Sequence, residues 1–268
     1  MRWSWKMGRF AGINTYVHST FLLLIAWAAW GAYKGAGTAL AVALGVGFLL
    51  AVFGSVLLHE FGHALVARRY GINTRRIILS PIGGIAQLEG MPARPSQELA
   101  VALAGPAVNF VLAAGLWVFG ELSPQPLLYG FAESLMWANL TLAVFNLLPA
   151  FPMDGGRALR ALLSLRMGDH RATQTAAFVG KSIALVMAVV GFFFNWTLIA
   201  VAAFVWYAAG REVAAARDEM RFGLHPQPAP QWRWTRRWSR AASAPMIWRQ
   251  RNGPEPATRH VVFVTTRY

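Results

Sequence analysis

Long apolar stretches alternate with short polar segments along the 268-residue chain. Six stretches can be drawn, at about residues 16–33, 39–67, 98–120, 127–152, 173–194 and 196–213. The last two form a tight pair turned at Asn195. Each is near the roughly 20 residues a helix needs to cross about 30 Å of hydrocarbon. The second is long and the sixth short, differences that tilt absorbs. The pattern predicts an all-α polytopic membrane protein with about six transmembrane helices. Residues 77–89 depart from it: Ile77-Ile78-Leu79-Ser80-Pro81-Ile82-Gly83-Gly84-Ile85-Ala86-Gln87-Leu88-Glu89 is bounded by arginines and glycines. It predicts two short β-runs about a Pro/Gly turn, a membrane-associated β-hairpin. Val261 to Thr266 carries a strand signal too weak to use.

Composition supports this picture. With 56% hydrophobic and 13% charged residues and a mean hydropathy of +0.41, the chain is neither disordered nor an ordinary soluble globule. It has no cysteine, which excludes disulfides and thiolate metal ligands. The 25 Lys+Arg against 11 Asp+Glu give a formal charge of +14. In a soluble protein that excess suggests nucleic acid. In a membrane protein it marks cytosolic loops facing anionic lipid, so the expected partner is the lipid bilayer and no nucleic acid is expected.

The placement of the bases sets an orientation. Arg2, Lys6 and Arg9 precede the first span, and Arg68, Arg69, Arg75, Arg76 and Arg94 lie between the second and third. Arg157, Arg160, Arg166 and Arg171 lie between the fourth and fifth, and nine arginines follow from Arg221 onward. The opposite-side loops hold Lys34 beside Glu121 and Glu133. Both termini are therefore expected in the cytosol. Met1 to Arg9 is basic but no small-residue cleavage site follows, so no cleavable signal is read there. No internal repeat is visible. Trp3, Trp5, Trp27, Trp30 and Trp196 lie near span ends as interfacial anchors. From about Phe222 the composition shifts to Pro226, Pro228 and Pro230, then Trp232, Trp234, Trp238 and Trp248 among arginines. A membrane-surface segment and a disordered basic tail both fit residues 222–268.

Ionisable groups at membrane depth are costly, so each marks a candidate site. The second span ends Ser55-Val56-Leu57-Leu58-His59-Glu60-Phe61-Gly62-His63-Ala64-Leu65. His59 and His63 are one helical turn apart, so both imidazoles leave one face and can bind one metal. Glu60 is beside them, placed to touch a metal-bound water rather than the metal. Two histidines that only make core hydrogen bonds are the plainer alternative, and hydrocarbon surroundings count against it. A catalytic zinc has three protein ligands and one open position. His18, His170, His225, His260 and the carboxylates are the available third ligands. Asp154, at the cytosolic end of the fourth span and at similar depth to His59, fits best. It closes Asn146-Leu147-Leu148-Pro149-Ala150-Phe151-Pro152-Met153-Asp154-Gly155-Gly156, a Pro/Gly-rich stretch tolerated at depth only when buried in protein or lining a cavity. Asp154 also suits a helix N-cap, and one residue can do both.

His59-Glu60-Phe61-Gly62-His63 together with Asn146 to Gly156 resembles the site-2 protease family of intramembrane zinc metalloproteases. That family pairs H-E-x-x-H on one transmembrane helix with N-x-x-P-x-x-P-x-D-G on a later one, and both halves are complete here. Ser80 to Ala86 and Ala104-Gly105-Pro106-Ala107-Val108-Asn109 are also similar to the family. The resemblance spans roughly Gly8 to Gly156 and includes neither CBS nor PDZ domains. It implies a transmembrane metalloprotease domain over 1–221, with a catalytic core at about 8–156 and an extra helical pair at about 173–213, followed by the 222–268 tail.

By this resemblance His59, His63 and Asp154 bind one Zn²⁺ per chain and Glu60 is the general base. The substrate would be a single-pass or hairpin membrane protein, cut near the cytosolic face in regulated intramembrane proteolysis. A bacterial cell membrane is the expected location. Asn146 is a candidate oxyanion donor or clamp on the substrate backbone, with a helix–helix hydrogen bond equally open to it. Asn109 and Asn139 lean toward that helix–helix role. Because a substrate helix must be unwound before cleavage, an edge strand at Gly83, Gly84 and Ile85 could pair with the extended chain. A surface hairpin that merely covers the site is the alternative. Gly105-Pro106 is expected to loosen or kink the third span, either shaping substrate access or only permitting close helix packing. A metal-binding scaffold and a transporter remain as other classes. The intact Glu60 counts against the first, and the lack of repeated halves against the second.

Overall fold

A computed structural model describes residues 4–81, 83–90, 92 and 94–221, with the backbone alone over 219–221. The expected tail over 222–268, with His225, His260 and the weak strand signal at Val261 to Thr266, lies outside the described residues, as do Trp3 and Ile82.

Two strands open the described chain, β1 (Ser4–Phe10) and β2 (Ile13–His18), followed by helices α1 (Phe21–Ala36) and α2 (Ala39–Arg69). Strands β3 (Thr74–Ser80) and β4 (Gly83–Leu88) come next, then α3 (Pro95–Glu121), α4 (Pro126–Asn146), α5 (Asp154–Met167), α6 (Asp169–Phe194) and α7 (Trp196–Arg221). Five of these helices are long and apolar enough to cross a membrane: α2, α3, α4, α6, and α7 over Trp196–Asp218. Helix α1 is apolar but shorter. The chain is thus a multi-pass membrane protein with a small β region.

Helix ends follow the local chemistry. Thr38 accepts a hydrogen bond from the Ala41 amide at the start of α2, and Arg68 and Arg69 occupy its last turn, where cations complement the helix dipole. Pro95 and Pro126 open α3 and α4, where a missing amide proton costs nothing. Asn195, the expected turn, breaks the α6–α7 pair, and its Oδ1 accepts from the amide and hydroxyl of Thr197. Helix α3 continues past Pro106, which is buried against its neighbours.

The β region is larger than the hairpin expected over 77–89. That hairpin is present as β3–β4, but it belongs to a four-stranded sheet of order β1-β2-β3-β4. Strands β1 and β2 are antiparallel, β2 and β3 parallel with Asn14 opposite Arg76 and Val17 opposite Leu79, and β3 and β4 antiparallel with Ile78 opposite Ile85. The α1–α2 pair is the crossover between the parallel strands. Residues 16–18, read as the start of the first span, are therefore strand. The sheet packs on one face of α2 through Ile13, Ile77 and Ala86 against Leu57, Phe61 and Ala64. Arg68 donates from Nη1 to the carbonyl of Ala11, tying the end of α2 to the β1–β2 turn.

Candidate active site

Helix α2 carries two functional faces. Successive residues advance about 100° around a helix axis, so Ser55, His59 and His63 fall on one side and Leu57, Phe61 and Ala64 on nearly the opposite one. The second face takes the sheet. The first meets α3, α4 and the start of α5, and each of its polar groups finds a partner there. Ser55 Oγ receives a hydrogen bond from Asn139 Nδ2 on α4 at 3.1 Å. Nδ2 of Asn109 on α3 lies 3.2 Å from Nδ1 of His59. His63 Nδ1 donates to the Val101 carbonyl of α3 at 2.7 Å. Unpaired polar groups are expensive where no water replaces a lost partner, so these contacts favour this rotation of α2, which its apolar face against the sheet also fixes.

The other imidazole nitrogens converge on Asp154. His59 Nε2, His63 Nε2 and Asp154 Oδ2 form a triangle with all three edges 3.1 Å. Side-chain exposure is 6%, 11% and 14% respectively, so bulk water does not separate them. The bond to the Val101 carbonyl places the His63 proton on Nδ1 and leaves its Nε2 as a lone pair. That lone pair then faces a carboxylate oxygen, an arrangement of acceptors that asks for a cation between them. Zinc bonds of about 2.0–2.2 Å to nitrogen and oxygen fit over such a triangle and leave one side of the ion open. These three residues form a group that could hold a metal ion, and the two-imidazole, one-carboxylate set suits zinc.

Asp154 reaches this triangle from an irregular segment. Helix α4 ends at Asn146, earlier than the span drawn to 152, and α5 starts at Asp154. Between them Ala150, Phe151 and Met153 are buried against α6 and α7, in clusters with Ala176, Ala177, Ala184, Val205 and Ala209. The extra helical pair thus holds the segment that delivers the carboxylate. Midway along α5, Arg160 pairs with Glu98 of α3, joining the two helices.

Glu60, one residue from His59, points between the two faces of α2. A methyl group on Gly84 of β4 would come within 2.5 Å of Glu60 Cγ and 3.0 Å of its Oε1, so the strand backbone lies against this carboxylate. Strand β4 is the last in the sheet, and no strand pairs with its outer edge among the described residues. Gly83, at φ 136°, and the exposed Ile85 flank Gly84 on this edge. Asn146 stands apart from the triangle in its hydrogen bonding: its Nδ2 donates to the Leu142 carbonyl one turn back on α4.

Two contributors were not identified as parts of the site from sequence. Asn109 makes the helix–helix contact expected of it, and its partner on α2 is a candidate ligand, His59. Gly105 clears the space: a Cβ there would collide with His63 Nε2 and lie 2.6 Å from His59 Nε2. The signal was present, since Gly105 and Asn109 are four residues apart and so share a face of α3.

The profile of peptidase family M50 matches this chain over residues 47–135 and 125–189. A zinc metalloprotease of Methanocaldococcus jannaschii is 37% identical over 238 residues, covering 83% of this chain and 64% of that protein. Stage IV sporulation protein FB of Bacillus subtilis is 34% identical over 125 residues, covering 46% of this chain and 43% of that protein. Among solved structures, the site-2 protease from Methanocaldococcus jannaschii superposes with a TM-score of 0.57 at 37% identity, covering 79% of this chain and 95% of that one. The chain spans less than two thirds of the length of the curated relatives it matches. Zinc is the metal that both the donor set and the zinc metalloprotease relatives support.

Proposed function

Since the chain belongs to peptidase family M50, we propose that it is a zinc-dependent intramembrane endopeptidase, cutting single-pass or hairpin membrane proteins near the cytosolic face. The observation that carries this reading is the 3.1 Å triangle of His59, His63 and Asp154 with Glu60 alongside, built on helices long enough to cross a membrane. Bound there, zinc supplies Lewis acidity that activates a water and polarises the scissile carbonyl. His59 and His63 give it neutral nitrogens, and Asp154 gives one negative charge. Glu60 takes the proton from the attacking water and returns it to the leaving amine.

The substrate's own helical hydrogen bonds must open before its carbonyl can be attacked. The free edge of β4 lies against Glu60, which supports a role for Gly83, Gly84 and Ile85 in pairing with the unwound segment through backbone hydrogen bonds. Asn146, at the end of α4 and eight residues before Asp154, is assigned to the substrate backbone or the developing oxyanion, its amide leaving the Leu142 carbonyl when substrate enters. The basic segments 68–76 and 157–171 support a cytosolic position for the metal end of α2, with both termini on that side. Such cleavage belongs to regulated intramembrane proteolysis, in the cell membrane of a bacterium.

The test compares membrane proteomes of cells making wild type or Glu60→Gln at matched levels with zinc supplied. Full-length or pre-trimmed single-pass proteins should accumulate with the variant alone, and the accumulating species names the substrate. Purified wild type and variant that process such a substrate at equal rates would remove Glu60 from the mechanism, and a zinc-loaded wild type that leaves every accumulating species uncut would remove the protease reading.

A further inference from the structure

His63 has a fixed tautomer because a backbone carbonyl receives its Nδ1 proton. His59 needs the same service, and among the described residues no carbonyl is bonded to its Nδ1. Its partner is the side-chain amide of Asn109, 3.2 Å away. This amide is fully buried at 0% exposure, so water does not stand in for it. Among the described residues its Oδ1 has no hydrogen-bond partner, a costly condition for a buried carbonyl.

The need of His59 decides which end of the amide faces it once Nε2 is committed to a metal. Nδ1 then carries the ring proton and must donate. The amide's oxygen and nitrogen have nearly the same shape, and a half turn about the Cβ–Cγ bond exchanges them. In that orientation Oδ1 accepts from Nδ1–H, and the orphaned acceptor has a donor. Gly105, one turn earlier on α3, permits the approach, because any Cβ there would strike the imidazoles.

We propose that Asn109 is a positioning residue of the metal centre, its amide oxygen accepting the Nδ1 proton of His59 and so presenting Nε2 to the ion. This rests on the metal-centre reading above. The polar partner of a metal-bound histidine orients the ring and raises its basicity, and its loss weakens metal affinity. What distinguishes the amide is its contact with a ligand: Asn139, similarly buried on α4 and with its own Oδ1 unpaired, bonds Ser55.

The experiment measures zinc retained by the full chain in lipid nanodiscs against a graded series of chelators. Asn109→Leu matches the amide in size but accepts nothing, and Asn109→Ala removes it without adding bulk. Both should hold zinc about 10–100-fold more weakly than wild type. Asn109→Asp restores an acceptor and should bind within about threefold of wild type or more tightly, through a carboxylate–histidine–zinc arrangement. The cobalt-substituted protein should show a wild-type visible spectrum for Asn109→Asp and an altered one for Asn109→Leu. Asn139→Leu removes a buried amide of the same kind and should leave zinc affinity unchanged, whatever it does to the melting temperature of the metal-free protein.

The inference is overturned if Asn109→Leu and Asn109→Ala retain zinc as wild type does. It is also overturned if Asn109→Asp is as weak as Asn109→Leu, or if Asn139→Leu weakens zinc equally. A wild-type chain that takes up no zinc is a different failure, since it removes the metal centre itself.

Discussion

The α2–α3–α5 region and the α6–α7 pair are held together in different ways. On the metal-side face of α2, polar contacts to α3 and α4 are added to the packing: Ser55 with Asn139, His59 with Asn109, His63 with the Val101 carbonyl. Where α6 meets α7 and the segment before Asp154, the buried side chains are small or apolar: Ala176, Ala177, Gly180, Ala184, Val205, Ala209. Lipid tails are as apolar as leucine, so the second kind of contact relies on close fit and tolerates sliding. The first does not, because each polar group must meet a particular atom or stand unpaired. A chain that needs ligands within a fraction of an ångström of one another uses polar contacts there. It uses small-residue packing for the helices that back the segment up.

The largest effect should come from the ligands. Asp154→Ala or His63→Ala removes one corner of the triangle, and both zinc per chain and proteolysis should fall to background, read by metal analysis and a cleavage assay. Glu60→Gln leaves all three ligands in place and should sharpen the point: zinc content unchanged, cleavage lower by about 10²–10⁴-fold. Equal zinc loss in both variants would mean that Glu60 holds the site together rather than acting on water.

Next comes the approach of α3. Gly105→Ala puts a methyl where His63 Nε2 stands, and displacing the imidazoles by about 1 Å should lower cleavage by about 10²-fold. Unfolding of the metal-free protein should change far less. On the small-residue side, Gly180→Leu introduces a side chain whose first carbon already lies 3.1 Å from Ala150 Cα. Overpacking of this kind should destabilise by about 1–3 kcal/mol, measured by denaturant unfolding in detergent. If Gly180→Leu abolishes zinc binding while Gly105→Ala spares it, the contrast between the two regions is wrong. The smallest effect should be the Ser55–Asn139 bond, whose coupling in a double-mutant cycle should be about 0.6 kcal/mol.

Much of this was legible in the chain. The helical spans follow from apolar run length, since a helix that satisfies its own backbone needs only enough residues to cross. Asn195 as the α6–α7 turn, the β3–β4 hairpin and the grouping of His59, His63 and Asp154 were read from residue type and spacing. The β1–β2 hairpin turns locally at Ala11-Gly12 and was overlooked, whereas Ile13 to His18 lacks a clear alternation and takes its place in the sheet by pairing with Arg76 to Leu79, some 60 residues away. Pairing over that distance leaves no local mark.

What the sequence determined by itself is therefore what local physics enforces: helical length, an i, i+4 pair of imidazoles on one face, and an irregular Pro/Gly segment ending in a carboxylate. Tertiary structure alone decided which atoms complete those groups. The Val101 carbonyl and the Asn109 amide reach the histidines, the edge of β4 lies against Glu60, and α6 and α7 close over Ala150 to Met153. These contacts depend on distances between helices, and those distances are set by which faces carry glycine and alanine and by the need of every buried polar group for a partner.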